Sequence, residues 1–326
     1  MLITRTPLRI SLGGGGTDLP SYYRKFGGIV VSAAINKYVY IGINRTFAKD
    51  YLLKYSELER VNDVAEIKHA IIREALTMHP IGPYLEIVSL ADIPAGTGLG
   101  SSGTFTVGLL KAIYAFQREH ISSDALAEEA CTIEIDHLDR AVGKQDQYIA
   151  AFGGLTCLEF RHDGEVRVLP LRISSQTLHD LEEHLMLFFT GYSRDAETML
   201  EDQRARSEKG DRAMLDNLHA IAQIGAKVRE ALEAGDTLGF AALMHEHWER
   251  KRSRTAGMST DDIDRWYAAG RAHGALGGKL VGAGAGGFLM FYASDPTALR
   301  AAMAKEGLTQ LRFTFDHDGS TVIVRD

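Results

Sequence analysis

The chain has 326 residues, of which 45% are hydrophobic, and its formal net charge at pH 7 is −7. This length allows two globular domains, and the negative charge excludes a general electrostatic attraction to nucleic acid or to an anionic membrane. The longest apolar run is too short to span a bilayer, no signal-peptide core is visible, and two cysteines indicate free thiols, so we expect a cytoplasmic protein with a small-molecule partner.

The first predicted element is a strand over residues 2–12, which ends at four consecutive glycines. These glycines, residues 13–16, form a corner where the backbone can approach a ligand closely. Asp18 follows them and is either a ligand-binding acid or a turn residue. Arg9, within the strand, either faces a ligand or is exposed.

Several elements lead to the most informative stretch of the chain. Residues 29–43 are predicted to form a hairpin or a pair of strands, and residues 61–78 a helix that ends before Pro80. Alternation over residues 84–89 predicts a strand, and apolar spacing over residues 105–116 predicts a helix. A glycine-rich turn therefore connects a strand to a helix.

This turn, residues 94–103, reads P-A-G-T-G-L-G-S-S-G and has the composition of a phosphate-binding loop. Glycine tolerates positive φ and has no Cβ, so Gly96, Gly98 and Gly100 allow backbone N–H groups to converge on an anion. The following helix adds the unpaired N–H groups of its N-terminus. Ser102 and its neighbour Ser101 supply hydroxyls that can cap this helix or reach a metal ion bound by the phosphates.

Two familiar phosphate loops do not fit this turn. It contains no lysine, so it is not a Walker A loop. Gly98, Gly100 and Gly103 match the dinucleotide fingerprint, but no second strand ending in an acid follows. An NAD-dependent oxidoreductase therefore stays only as a remote alternative.

Two acids follow the loop. A helix predicted from Ser122 carries Glu134 on a largely apolar face, where an acid is either solvated at an edge or turned inward to hold a cation. Asp146 lies in the segment G-K-Q-D-Q and is either a helix-capping loop residue or a carboxylate that takes part in chemistry. Arg9 and Lys144 are the candidates for keeping it ionised.

The second half of the chain is predicted to mix strands and helices, with a domain boundary between Ile173 and Leu185. Its basic run, residues 250–254, is typical of a solvated helix face. His245 and His247 are predicted to be surface histidines, because their positions on a helix point apart. The remaining predicted elements are strands at 155–160 and 165–171, a helix at 175–184, an apolar run at 185–189, two strands around a glycine turn at 279–292, a helix at 296–306, and strands at 311–315 and 321–324.

Three motifs resemble those of the GHMP kinase family, which includes galactokinase, homoserine kinase, mevalonate kinase and phosphomevalonate kinase. They lie at residues 5–18, 94–103 and 279–287, in the order expected for the family. The resemblance implies an α+β fold of two domains. Residues 1–175 would form an ATP-binding domain like the second domain of ribosomal protein S5, and residues 176–326 a ferredoxin-like domain.

The resemblance also implies ATP and Mg²⁺ as cofactors. Ser102 and Glu134 match the family's magnesium ligands, which stand 32 residues apart as they do here. Asp146 matches the carboxylate at the acceptor hydroxyl, and Arg9 matches a basic residue close to the reacting groups. The residues assigned to the nucleotide are Pro94, Gly96, Gly98, Leu99, Gly100, Ser101 and Ser102.

The implied acceptor is a sugar phosphate bound near the glycine corner. Gly15 and Gly16 depart from the galactokinase form of the motif, which has an acid and a histidine in their place. Arginine forks match phosphate oxygens, so Arg194 or the basic run would clamp the acceptor's own phosphate. The residues assigned to the substrate are Gly14, Gly15, Gly16, Thr17, Asp18, Arg194 and Gly284.

Two alternatives stay close to this interpretation. A related kinase would act on L-fucose or on an unphosphorylated mannose or heptose, and would not require a phosphate on its acceptor. A non-catalytic sugar-binding protein would have the same fold, but the presence of both Asp146 and Glu134 argues against it. A homodimer is the default expectation for a soluble enzyme.

Overall fold

The computed structural model of the protein describes residues 1–191, 196–255, 257–284 and 286–325. The strands, numbered along the chain, are β1 (Leu2–Gly13), β2 (Gly28–Arg45), β3 (Tyr51–Lys54), β4 (Leu58–Val61), β5 (Leu85–Ala91), β6 (Leu155–Phe160), β7 (Val166–Pro170), β8 (Leu185–Gly191), β9 (Ala275–Val281), β10 (Gly287–Ala293), β11 (Thr309–Leu311) and β12 (Thr321–Arg325).

The α-helices are α1 (Pro20–Phe26), α2 (Ala70–Met78), α3 (Ser101–Gln117), α4 (Ser123–Cys131), α5 (Gln145–Phe152), α6 (Ser175–His184), α7 (Ala196–Glu208), α8 (Arg212–Glu233), α9 (Thr237–Arg252), α10 (Asp261–Ala272) and α11 (Pro296–Lys305). A 3₁₀ turn spans Val64–Glu66, and a π-helical stretch spans Thr132–His137. None of the helices in the described ranges combines the length and apolarity needed to cross a membrane.

The strands form two sheets, and the α+β class expected from the sequence is confirmed. The larger sheet has the order β12-β1-β2-β5-β3-β4, with β6 pairing to β2 and β7 to β6. The smaller sheet is antiparallel with the order β11-β8-β10-β9. Helix α3 packs on β1 and β2, and α9 packs on β9. One apolar core includes residues from both halves of the chain, such as Leu8, Leu109, Val228 and Met244.

The boundary predicted after residue 175 coincides with the start of α6. The final strand does not stay with the second half of the chain, because β12 pairs antiparallel with β1. The hydroxyls of Thr6 and Ser320 lie 2.8 Å apart beside this pairing. The first and last strands are thus neighbours in the larger sheet.

The stretch predicted as two strands, residues 29–43, is a single long strand, so that prediction is wrong. Its pairing with β1 shifts register where Pro7 stands opposite Tyr38 and Leu8 opposite Ile35. Pro7 has no N–H to donate to the ladder, and an irregularity is tolerated there. On its other edge, β2 pairs with β6 through its first part and with β5 through its last part.

The helix predicted from residue 61 begins only at Ala70. The side chain of Asp63 accepts a hydrogen bond from the backbone N–H of Ala65, and the side chain of Glu66 accepts one from the N–H of Asp63. These local bonds stabilise one 3₁₀ turn, after which His69 caps α2. Side chain to backbone bonds therefore end the first turn before a longer helix can form.

Candidate active site

The phosphate loop is shaped by three glycines at alternate positions. Gly96, Gly98 and Gly100 have φ values of 78°, 80° and 81°, a region that disfavours any residue with a Cβ. Leu99 lies between Gly98 and Gly100, and its side chain is fully buried in the core, where it anchors the loop. Pro94 and Gly96 lie at the entry of the loop, where Gly96 is exposed. The loop backbone is thus held rigidly while its outer side stays accessible.

The serines that follow have different surroundings. The Ser101 hydroxyl is buried without a hydrogen-bond partner in the described residues, which is unusual for a buried polar atom. The Ser102 hydroxyl donates to Glu134 and accepts from Nη1 of Arg140, 2.9 Å away. Ser101 therefore keeps a free hydroxyl at the start of α3, where a phosphate oxygen would satisfy it.

The third glycine motif supports the loop by direct contact. Gly282 has a φ of 90°, and a Cβ placed on it would stand 2.5 Å from the Cα of Gly98. A Cβ on Gly98 would stand 2.7 Å from the carbonyl oxygen of Val281. Only two glycines permit this approach of backbone to backbone.

Substitution Gly282→Ala is expected to displace the loop and to raise the KM for ATP by about tenfold or more, since such strain costs of order 1–3 kcal/mol. Gly307→Ala is the matched control, because Gly307 has a φ of 80° but a Cβ placed on it would have nothing within 4 Å. Steady-state kinetics with varied ATP measures both. An equal effect of the two substitutions would show that backbone strain alone, and not the contact with Gly98, is responsible.

Arg9 and Asp146 form a bidentate ion pair next to the loop. Nε of Arg9 donates to Oδ1 of Asp146 at 2.7 Å, and Nη2 donates to Oδ2 at 3.0 Å. Nη1 of Arg9 donates to the carbonyl of Gly98 at 2.6 Å, and its backbone N–H donates to the carbonyl of Leu99 at 3.0 Å. The pair therefore joins β1, the phosphate loop and the first turn of α5.

Lys144 does not contribute to this pair, although its place in the sequence makes it a candidate. Its ammonium donates to both carboxylate oxygens of Glu128 at 2.8 Å and to the carbonyl of Gly164 at 3.0 Å. Lys144 precedes the first turn of α5, and its side chain extends toward α4 rather than toward the loop. The hypothesis that Lys144 keeps Asp146 ionised is therefore wrong, because the cation that contacts Asp146 is Arg9.

Glu134 lies in the π-helical stretch and is fully buried. Besides Ser102, it accepts hydrogen bonds from Thr106 at 3.0 Å and from Gln147 at 2.9 Å, and Arg140 lies 3.5 Å away. Burial raises the pKa of Glu134, although these hydrogen bonds act in the opposite direction. The acid is turned inward, and the guanidinium of Arg140, which sequence reasoning missed, is the cation beside it.

Ser102 and Glu134 together fit Mg²⁺, which binds hard oxygen ligands. No group of three or more His, Cys, Asp or Glu side chains among the described residues is arranged for a metal ion. The described residues therefore contain no site in which side chains of this kind alone would surround a metal ion. Two protein oxygens suffice, because Mg²⁺ keeps water and takes phosphate oxygens as its remaining ligands.

Asp18 connects the glycine corner to the segment that carries Asp146. Its carboxylate accepts from the backbone N–H groups of Gly16 at 3.0 Å and Gln145 at 3.2 Å. Burial, with the nearby charge of Asp146, raises the pKa of Asp18. The Thr17 hydroxyl bonds instead to the carbonyls of Gly14 and Ile29. Thus Asp18 faces the ligand side, whereas Thr17 shapes the corner.

A cavity borders the Arg9–Asp146 pair. Gly15, Gly16 and Asp18 line it together with Arg9 and Asp146, whereas none of residues 94–102 does. Its other wall carries side chains from α9, from the turn after it and from β9, namely His247, Lys251, Arg254 and Lys279.

This basic wall corrects the interpretation of two sequence features. Lys251 and Arg254 are each 8% exposed, although a basic run of this kind predicts a solvated face, and His247, predicted to be at the surface, is 2% exposed. Spacing of four and then three residues places the three on one side of α9 and its continuation, a signal present in the sequence. Arg250, in the same run, is exposed.

Two residues assigned to the substrate lie elsewhere. Gly284 is buried near Met258, whose sulfur would be 2.4 Å from a Cβ on Gly284, and it does not line the cavity. Arg194 lies outside the described residues. The predicted site residues that the fold brings together are those of the loop, the glycine corner and the two acids.

The chain is similar to known proteins in both sequence and structure. A model described as GHMP kinases N terminal domain matches residues 59–154, and one described as GHMP kinases C terminal matches residues 228–308. D-glycero-alpha-D-manno-heptose 7-phosphate kinase from Campylobacter jejuni is 33% identical over 97% of both chains. L-fucokinase/L-fucose-1-P guanylyltransferase from Bacteroides fragilis is 25% identical over 90% of this chain and 35% of its own. The crystal structure of a D-glycero-D-manno-heptose 1-phosphate kinase from Bacteroides thetaiotaomicron superposes with a TM-score of 0.81, 26% identity and full coverage of both chains.

Proposed function

Because this chain belongs to the GHMP kinase family, we propose that it is an ATP-dependent sugar kinase that phosphorylates the anomeric (C1) hydroxyl of D-glycero-D-manno-heptose 7-phosphate. The product would be the 1,7-bisphosphate, an intermediate for GDP-heptose and surface polysaccharide. The observation that carries the proposal is the position of the Arg9–Asp146 pair, between a phosphate loop and a separate cavity with a basic wall. A donor site and an acceptor site would thus meet at one carboxylate.

On the acceptor side, Asp146 would orient the C1 hydroxyl and accept its proton as the oxygen attacks. Arg9 holds the Asp146 side chain in place through two hydrogen bonds, and its contact with the carbonyl of Gly98 places positive charge where the transferred phosphoryl group would pass. Asp18, fixed by Gly16 and Gln145, would accept hydrogen bonds from sugar hydroxyls. These groups are preorganised, since each is already held by its neighbours.

On the donor side, the backbone N–H groups around Gly96, Gly98 and Gly100 and the free hydroxyl of Ser101 would bind the phosphates of ATP. Ser102 and Glu134 would hold Mg²⁺, which supplies neutralising charge on the phosphate oxygens when it is bound. Their contact across the loop and the π-helical stretch supports this assignment. Arg140 would move from these oxygens or share them with the phosphates.

A related kinase for L-fucose or for an unphosphorylated mannose or heptose is the second candidate, because the Bacteroides fragilis relative is named as an L-fucokinase. The basic wall favours the phosphorylated acceptor, since an unphosphorylated sugar leaves its charges without a counter-ion. For a dinucleotide enzyme the helix after the loop would lead to a strand, whereas α3 is followed by α4.

The deciding measurement is ADP release from Mg·ATP with D-glycero-D-manno-heptose 7-phosphate, with the free heptose and L-fucose as controls. We expect kcat/KM for the phosphorylated heptose to exceed that for the free sugar by about 10²-fold or more, on the scale of a charge-assisted contact to a phosphate. Equal turnover of both heptoses would favour a broader sugar kinase. Absence of turnover with all three would reject the proposed acceptor.

A further inference from the structure

We propose that the cavity contains a dedicated site for the phosphate that the acceptor carries before the reaction, formed by Lys251, Arg254 and Lys279. The inference rests on the proposed function, since it concerns the acceptor of that reaction. In this proposal, the preference for a phosphorylated sugar depends on residues in the second half of the chain, which are far in sequence from Asp146.

The three cations are buried and have only neutral hydrogen-bond partners in the described part of the chain. Lys251 donates to the carbonyls of Leu280, at 3.0 Å, and Gly282. Nζ of Lys279 lies 3.1 Å from Nδ1 of His247. Buried charges are normally paired with an opposite charge, because desolvation otherwise destabilises the fold. Among the described residues none of the three cations forms an ion pair, although the charge of Asp18 acts on Arg254 without bonding to it, and this is the first argument for an anionic ligand.

Arg254 gives the second argument. Its Nε donates to Asn217 at 3.0 Å and its Nη1 to Gln203 at 2.7 Å, yet its Nη2 is buried with no hydrogen-bond partner among the described residues. Nε2 of His247 is buried and unpaired there as well. Arg254 and His247 both line the cavity. A phosphate has enough acceptor oxygens to satisfy both side chains.

Mutual repulsion agrees with this picture. Burial, with the charges of Arg254 and Arg9, lowers the pKa of Lys251 to about 7, and burial lowers the pKa of Arg254 to about 10 against the opposite effect of the charge of Asp18. The pKa of Lys279 is also well below its usual value, because of burial and the charges of Lys251, Arg9 and Arg254. A bound phosphate dianion would raise these pKa values again.

The position of Arg254 indicates the acceptor's phosphate rather than the transferred one. Gln203, which Arg254 contacts, donates to the carbonyl of Gly16 at 2.8 Å. A Cβ on Gly16 would stand 2.8 Å from Nη1 of Arg254. Arg254 is thus attached to the glycine corner on the acceptor side, whereas Arg9 is the cation that contacts the phosphate loop.

The test compares Arg254→Met, the conservative Arg254→Lys, and Arg250→Met as the matched control at an exposed position of the same basic run. For each, kcat and KM are measured with heptose 7-phosphate and with free heptose at saturating Mg·ATP. We expect the ratio of the two kcat/KM values to fall by about 30-fold or more in Arg254→Met, mainly through the KM of the phosphorylated sugar. Arg254→Lys should recover part of the loss, and Arg250→Met should match the unchanged protein.

Other outcomes overturn the assignment. An equal loss with both sugars, carried by kcat and the KM for ATP, would place the cluster at the transferred phosphate. An unchanged ratio in a folded Arg254→Met protein would make Arg254 a structural residue. Lys279→Met serves as a second variant, with the same expected fall in the ratio, if Arg254→Met does not fold.

A binding measurement separates this inference from the proposed function. With Mg·ADP filling the phosphate loop, inorganic phosphate should raise the unfolding temperature of the unchanged protein and of Arg250→Met, but not of Arg254→Met. This result would support the site even if heptose 7-phosphate proves not to be the acceptor. Equal stabilisation of all three proteins by phosphate would reject it.

Discussion

Asp146→Asn is expected to lower kcat by at least about 10²-fold while the KM for ATP changes little, which is the scale of removing one key transition-state contact. Asparagine keeps the shape of the side chain and one acceptor for Nε of Arg9, but it cannot take a proton from the acceptor hydroxyl. It also leaves the charge of Arg9 without its carboxylate partner. Because the side chain of Arg9 contacts the loop through a backbone carbonyl, ATP binding should survive. Steady-state kinetics with varied ATP and varied sugar measures both effects.

Asp216→Asn is the matched control for that experiment, because Asp216 is a largely exposed aspartate on α8. It should have the kinetics of the unchanged protein. Near-normal turnover of Asp146→Asn would remove Asp146 from the mechanism. A parallel loss of ATP binding would mean that the pair with Arg9 chiefly maintains the phosphate loop.

Glu134→Gln is expected to raise the Mg²⁺ concentration needed for half-maximal activity by about 10- to 100-fold or more, since even residues behind a metal ligand contribute on that scale. The amide fits the same pocket and can still accept from Thr106 and Gln147, but it lacks the negative charge that Mg²⁺ requires. Titration of activity with Mg²⁺ at fixed ATP is the measurement. Glu230→Gln, at an exposed position of α8, should leave the titration unchanged.

We also expect Glu134→Gln to change the stability of the protein in the absence of metal. The folded state raises the pKa of Glu134, so it holds the proton more tightly than the unfolded state does. Its contribution to stability therefore falls as the pH rises from 4.5, the usual pKa of a glutamate, through the raised pKa. In EDTA at neutral pH, Glu134→Gln should unfold at the same or a higher temperature. A clear drop in unfolding temperature would make Glu134 a structural acid rather than a metal ligand.

The sequence predicts the backbone of the loop at residues 94–103 well, because its signals are local. Gly96, Gly98 and Gly100 need positive φ whatever packs around them, and the strand and helix that flank them have their own periodicity. The glycine turn around Gly282 is likewise predicted from local signals. The family and fold class expected from these motifs are confirmed by the matches to both GHMP domains and by the superposition with the heptose kinase structure.

The acceptor side is predicted less well, because it depends on contacts between distant segments. Lys251 and Arg254 belong to a basic run that would be solvated on an isolated helix, but Lys251 contacts β9 and Arg254 contacts α7 and α8, and both are buried. Lys144 lies two residues before Asp146 in the sequence, yet its side chain donates a hydrogen bond to Glu128 on another helix. The length of β2 has the same origin, since its partners come from three separate parts of the chain. Local sequence patterns contain no information about these long-range neighbours.

The pairing of β12 with β1 has a consequence for the order in which the protein folds on the ribosome. β1 carries Arg9 and is made before every other strand of the sheet, whereas the strand that covers one of its edges, residues 321–325, is made after all of them. Until then the edge of β1 is an open template for unwanted strand pairing. Contacts of such long sequence separation also slow folding. The nascent chain therefore completes the sheet beneath its phosphate loop only after synthesis has passed the second half, and this interval is when aggregation is most favoured.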